Sequence, residues 1–182
     1  MEIKTPRLIL REYRESDLHA LHEMDANPET QRYEKGIPSV EETREYIRVA
    51  QIFAQEIPRT YFQLAVTIQP SDEVRGRVTI YPLNSTIREW EMGWAIHPQE
   101  WEKGYATEAA WHLMDFAFRE LPVHRIVAFC HVANIASIRV MSKLGMQQDG
   151  RLRETRWWNG GWSDEFIYGI LEREWKKTKP QE

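Results

Sequence analysis

Between residues 60 and 132 the hydrophobic period changes twice, and that change limits the fold more than any other feature of the chain. Phe62, Leu64, Val66 and Ile68 alternate with Gln63, Ala65 and Thr67, a polar PSDEVRG turn follows, and RVTIY at 77 to 81 resumes the pattern. Period two on both sides of turn residues is a hairpin. Residues 88 to 96 alternate again, with Trp90, Met92, Trp94 and Ile96 on one face and Glu89, Glu91, Gly93 and Ala95 on the other. From Gly104 to Glu120 the apolar residues Ala106, Ala109, Ala110, Leu113, Phe116 and Ala117 share one helical stripe, which Pro122 closes. HRIVAFCHV at 124 to 132 is a nearly continuous apolar run, as expected of a strand buried on both faces. Three antiparallel strands followed by a helix and a doubly buried strand predict a mixed sheet with helices over it.

The flanks extend this pattern. RLILR at 7 to 11 reads as a strand, and Ser16 as the N-cap of a helix carrying Leu18, Leu21 and Met24 that ends at Asn27 and Pro28. Ser39 and Glu42 form a capping box ahead of Val40, Ile47, Ala50, Phe53 and Ala54, predicting a second helix to about Glu56. Asn134 caps a helix with Ile135, Ile138, Met141 and Leu144 facing inward, and Gly145 stops it. Residues 147 to 171 read as two strands about Asn159, Gly160 and Gly161, a hairpin turn signal. The order is βαα, three antiparallel strands, αβα and a hairpin, an α+β or mixed α/β fold. At 182 residues and 42% hydrophobic the chain suits one domain over 1–182, with a disordered tail at 176–182.

Composition narrows the function classes. No apolar run approaches membrane-helix length, and MEIKTPRLILREYRESD lacks the core of a signal peptide, so a cytoplasmic protein without a membrane partner is expected. Cys130 stands alone, and His19, His22, His97, His112, His124 and His131 show no ligand spacing, so no metal is expected. A net charge of -4 without a basic stripe argues against nucleic acid.

The chemistry gathers where a strand gives way to a helix, at WEKGYATEA (101 to 109). The first backbone N–H groups of a helix lack intrahelical partners and favour an anion. Gly104 and Ala106 allow close approach, and Lys103 adds positive charge. An ordinary glycine-led helix start fits the same pattern. The stretch is neither a Walker A loop nor a Rossmann fingerprint, because the required glycines are missing.

WAIHPQEWEKGYATEAAWHLMDFAF, followed by HRIVAFCHVANIASIRVMSKLGM, closely resembles the GNAT N-acetyltransferase superfamily, in particular its RimJ/RimL-type, ribosomal-protein-alanine acetyltransferase-like branch. The similarity begins at TPRLILRE. The family's acetyl-CoA motif is Gln/Arg, two residues, Gly, one residue, then Gly/Ala; Gly104 and Ala106 match, and Trp101 takes the first position, as in many Rim-type chains. Glu102 departs from the glycine usual in that branch and brings a carboxylate toward the expected pyrophosphate.

The resemblance implies a central, mostly antiparallel sheet splayed between the fourth and fifth of these strands. The backbone of Glu102, Lys103, Gly104, Tyr105, Ala106 and Thr107 would hold the pyrophosphate. The strand backbone at Trp94, Ala95 and Ile96 would pair with the pantetheine arm, with Asn134 contacting it while also capping its helix. Glu91 is the candidate general base, matching the branch's Glu-x-Gly pattern in Glu91-Met92-Gly93; Glu89 on the same face is its rival. The tyrosine acid of many relatives is replaced at Met141, which leaves Ser137, one turn beyond Asn134, as the candidate acid and a cofactor contact. A serine in a first helical turn also satisfies local backbone groups. An amide of the splayed strand would face the oxyanion. Cys130 reads as core.

The expected activity is acetyl-CoA-dependent acetylation of a primary amine by direct attack in a ternary complex. The acceptor would be a protein N-terminus, a polyamine, an amino sugar or another small amine, and the chain would act as a monomer or homodimer. The alternative is a non-catalytic acyl-CoA-binding sensor or interaction protein on the same fold. RWWNGGWSDEF (156 to 166) reads either as hairpin packing or as an aromatic platform for the acceptor.

Overall fold

The computed structural model describes residues 1–34 and 36–175. The 176–182 segment expected to be a disordered tail lies outside the described residues. In chain order the elements are β1 (Glu2–Lys4), β2 (Leu8–Arg11), α1 (Leu18–Ala26), α2 (Val40–Phe53), β3 (Phe62–Ile68), β4 (Val74–Asn84) and β5 (Glu89–Ile96). They continue with α3 (Tyr105–Glu120), β6 (Arg125–His131), α4 (Ile135–Lys143), β7 (Gln147–Trp158), β8 (Gly161–Leu171) and the short α5 (Glu172–Trp175).

The eight strands form one sheet in the order β1-β2-β3-β4-β5-β6-β8-β7. Every described pairing is antiparallel except β5 with β6, which run parallel. The mixed sheet flanked by helices predicted from the period changes is therefore present.

The alternation sorts residues to two sides. Leu64, Val66, Val78, Ile80, Trp90, Met92 and Ile96 pack with Ala109, Ala110, Leu113, Met114 and Ala117 of α3 and with Met141 of α4. On the other side Ala65 and Val74 meet Tyr13, Leu21 and Met24 and the α2 residues Ile47 and Ala50. Covered on both faces, β3 buries even Gln63 and Thr67. Each fully buried aliphatic side chain contributes roughly 1.5–3 kcal/mol, so these two clusters fix the strand faces. At Gly76 a Cβ would meet Ile96 Cδ1 at 2.5 Å and the Ala95 carbonyl oxygen at 2.8 Å. Only glycine lets β4 lie this close to the end of β5.

Two local expectations need correction, and one strand left no signal in the sequence. Ser16 does not cap α1: it lies inside a 3-10 turn over Glu15–Asp17, and buried Asp17 takes the Arg14 amide at 2.8 Å and the Arg11 guanidinium at 2.8 Å. An aspartate already held by a buried arginine is the stronger local acceptor. Ile135, expected to face inward, is 53% exposed at the first turn of α4. The segment EIK, too short and polar to show a period, forms β1 against β2. Among the described residues no helix is long and apolar enough to cross a membrane.

Candidate active site

The parallel pair is short. Glu89, Trp90 and Glu91 face Arg125, Ile126 and Val127, and from Met92 onward the register of β5 is with β4 alone. The side of β5 left open follows from the hydrogen-bond pattern. The His97 amide donates to the Arg75 carbonyl at 2.8 Å, and antiparallel bonding recurs every second residue. Ala95 and Gly93 therefore turn their backbone groups to Arg77 and Thr79 of β4, while Trp94 and Ile96 turn theirs into the gap; the Met92 amide closes the ladder with β6 and only its carbonyl faces the gap. Of the three residues expected to pair with pantetheine, Trp94 keeps both groups facing the gap. Ala95 faces β4, and the Ile96 carbonyl accepts the Trp101 indole N–H at 2.6 Å.

That indole bond ties the following loop to the strand end. His97 is buried and its Nδ1 accepts the Gln99 amide at 3.2 Å, starting a 3-10 turn over Pro98–Glu100. Glu102 (φ 63°) and Gly104 (φ 83°) are both left-handed. This is routine for glycine but costs a glutamate about 1 kcal/mol or more. Gly104 is the N-cap of α3 and no side chain caps that end. The amides of Tyr105, Ala106 and Thr107 thus have the open arrangement that receives an anion. Lys103 Nζ is ion-paired to Glu100 at 2.8 Å, and Glu102 is exposed.

A residue that gave no sequence signal fixes this cradle from behind. Arg7 Nη1 donates to the Lys103 carbonyl at 2.9 Å, its Nε reaches Glu108 Oε2 at 2.6 Å, and its guanidinium stacks 4.7 Å over the Tyr105 ring. Thr5 Oγ1 donates to the same carboxylate at 2.5 Å. Burial pushes the Glu108 carboxyl up, but the Thr5 and Arg7 bonds outweigh it and leave it below the usual carboxylate value.

Glu89 and Glu91 leave the same face of β5 into different company. Glu89 is buried and ion-paired to Arg125, which also donates to Asp149 at 2.7 Å. Glu91 is half-buried opposite Tyr81 in the β4 register. Burial raises its pKa; the Tyr81 phenol works against that rise, the Glu165 carboxylate adds to it and Arg156 opposes it. Arg156 is held in turn by Glu165 at 2.9 Å and by the Tyr33 carbonyl at 2.6 Å. Of the two rivals, Glu91 is the one without an arginine ion pair among the described residues, and its carboxyl is held above its usual value. Glu89 is instead committed to its ion pair with Arg125.

Asn134 begins α4, and its Oδ1 accepts the Ser137 amide at 3.1 Å. Ser137 lies half-buried in that first turn, and Met141 is fully buried in the core. Cys130 also lies in the core, and burial pushes its thiol up to about 11. The tryptophans divide: Trp158 donates to the Arg32 carbonyl at 2.8 Å and packs with Tyr33 and His131, whereas Trp157 and Trp162 form an exposed edge-to-face pair. The hairpin thus secures the α1–α2 connection, and Tyr33 Oη donates to the Ala133 carbonyl at 3.0 Å beside Asn134.

The model of the acetyltransferase (GNAT) domain matches residues 7–147. The chain is 32% identical over 177 residues to YnaD, an uncharacterized N-acetyltransferase of Bacillus subtilis (strain 168), covering 96% of this chain and 99% of that protein. The crystal structure of the acetyltransferase (GNAT family) from Bacillus anthracis superposes with a TM-score of 0.83 at 30% identity, over 96% of this chain and 100% of that one. RimL, a ribosomal L7/L12 alpha-N-protein acetyltransferase solved in complex with coenzyme A, shares the fold with a TM-score of 0.83 at 21% identity, over 94% and 98% of the two chains. A strand that splays beyond a half-buried glutamate, an uncapped helix start at Gly104 and this sequence agreement lead to one conclusion: the chain belongs to the GNAT family of N-acetyltransferases.

Proposed function

We propose that the protein transfers an acetyl group from acetyl-CoA to a primary amine by direct attack in a ternary complex. One observation carries this reading: the register of β5 with β6 ends at Glu91, so the gap opens beside a half-buried carboxylate and runs along an unpaired strand edge toward the start of α3. The gap suits a thioester on a long polar arm. The amides of Tyr105, Ala106 and Thr107, with the loop backbone of Glu102, Lys103 and Gly104, hold the pyrophosphate. The Trp94 backbone pairs with the arm, flanked by Ala95 and Ile96, and Asn134 approaches it from α4.

Acetyl transfer forms an N–C bond and breaks a C–S bond. Glu91 accepts the proton that the amine loses, directly or through one water. A β5 amide facing the gap donates to the carbonyl oxygen as charge develops on it. The Ser137 hydroxyl relays a proton to the departing thiolate and is reprotonated from solvent, to which Glu91 returns the proton it took, so that the net change moves one proton from nitrogen to sulfur. With Glu89 paired to Arg125 and Glu165 to Arg156, Glu91 is the carboxylate assigned to meet a cationic amine.

The test is thiol release from acetyl-CoA with N-terminal peptides, polyamines and aminoglycosides side by side. Release with at least one class, together with a rise in thermal midpoint at saturating acetyl-CoA, is expected. A midpoint rise without thiol release would mark a binder rather than an enzyme, and no rise would overturn the cofactor assignment.

A further inference from the structure

Glu91 would be a poor proton acceptor if its carboxylate were free to rotate, and the residue that limits it lies one strand away. Tyr81 is the direct register partner of Glu91 across β4 and β5. Opposed residues of an antiparallel pair hold their side chains about 5 Å apart on one face. The Tyr81 ring is itself held: it stacks on Tyr61 with centroids 4.6 Å apart and planes 2° from parallel, and Tyr61 stacks on Phe53 at 4.7 Å. Three rings, from the end of α2, the residue before β3 and β4, thus fix the direction of one phenol.

We propose that Tyr81 is a positioning residue for the reaction, its O–H donating to the ionised Glu91 carboxylate and aiming the other oxygen at the acceptor amine. The donor role is secure on charge grounds. Burial, then the Glu91 carboxylate, pushes the Tyr81 phenol well above its usual value, so it keeps its proton throughout the working range. The other charged and titratable groups around Glu91 play different parts. Tyr61 shares the stack, Glu165 on β8 repels ionisation, Arg156 on β7 opposes Glu165, and Glu89 is committed to Arg125. Tyr81 is therefore the neutral donor for Glu91 in this set.

The inference rests on the reading of Glu91 as base, and the test separates the two. Side-chain 13C-carboxyl NMR of glutamate-labelled protein, with Glu91 assigned by its loss in Glu91→Gln, gives the Glu91 titration midpoint without any acceptor. Loss of a donor to the charged form raises a carboxyl pKa, so Tyr81→Phe, which keeps the ring stack, is expected to raise the midpoint by roughly 0.5–1 pH unit. Tyr61→Phe is expected to leave it in place. An unmoved midpoint in Tyr81→Phe, or equal shifts in the two variants, overturns the proposal, while lost thiol release in Glu91→Gln keeps the base reading. Full thiol release by Glu91→Gln overturns the base reading and the role of Tyr81 with it.

Discussion

The two halves of β5 share a strand, a register with β4 and an alternating pattern, yet they do different work. In the first half, Glu89 to Glu91 are paired on both edges, and a carboxylate there meets neighbours fixed by the sheet: Arg125 for Glu89, Tyr81 for Glu91. In the second half, Gly93 to Ile96 have one free edge, and what matters is backbone direction rather than side chains. In the proposed reaction, proton transfer uses the closed half and recognition of the cofactor arm uses the open half.

The most severe break of this comparison comes from the closed half. Glu91→Gln is expected to lower kcat by about 10²–10⁴-fold while acetyl-CoA affinity, measured by titration calorimetry, stays within about twofold, because the arm is held elsewhere. Since burial raises the Glu91 pKa, and only its ionised form accepts a proton, activity should fall as pH drops through a midpoint above the ordinary glutamate value. Glu89→Gln makes the contrast. It breaks a mostly buried ion pair, which costs roughly 2–3 kcal/mol and should lower the thermal midpoint with little change in turnover by the folded protein.

Changes at the open end should be smaller and act on binding. Gly104→Ala places a Cβ on a residue at φ 83°, which costs about 1 kcal/mol; an increase of several-fold in the KM for acetyl-CoA is expected in steady-state kinetics. Glu108→Gln loosens the Arg7 clamp and should cost on the order of 1–2 kcal/mol by denaturant melts. The folded-state pKa of Glu108 lies below its ordinary value, so its contribution is present above that ordinary value. It is lost as pH falls through the lower folded value, and parent and variant melts should converge in acid. The smallest effect is a gain: Glu102→Gly relieves a left-handed glutamate and removes a carboxylate from the loop, stabilising by about 1 kcal/mol or less and modestly tightening acetyl-CoA binding.

How much of this was legible in the sequence follows the same division. The open half was legible because it is built from backbone. Alternation, a glycine before a helical stripe and an asparagine cap all leave periodic or positional traces, and β5, α3, β6 and α4 appear where those traces put them. Glu102 stood out as a departure, and its φ of 63° explains why glycine suits that position. The closed half was not legible beyond Glu91. Tyr81, Arg156 and Glu165 come from three strands, and Arg7 meets Glu108 across 101 residues; no local pattern marks such pairs. The Glu-x-Gly resemblance favours Glu91 over Glu89, and the ion pair of Arg125 with Glu89 supplies the physical contrast between them.

The central claim is that the cofactor arm lies along the open edge of β5 and ends at α3. Hydrogen exchange with and without coenzyme A, read residue by residue by NMR, tests it most directly. New protection is expected at the amides of Trp94, Tyr105, Ala106 and Thr107, and unchanged exchange at Glu89, Trp90, Glu91 and Met92, whose amide already donates to β6. Bound coenzyme A that leaves the Trp94 and Ala106 amides exchanging as before would contradict it.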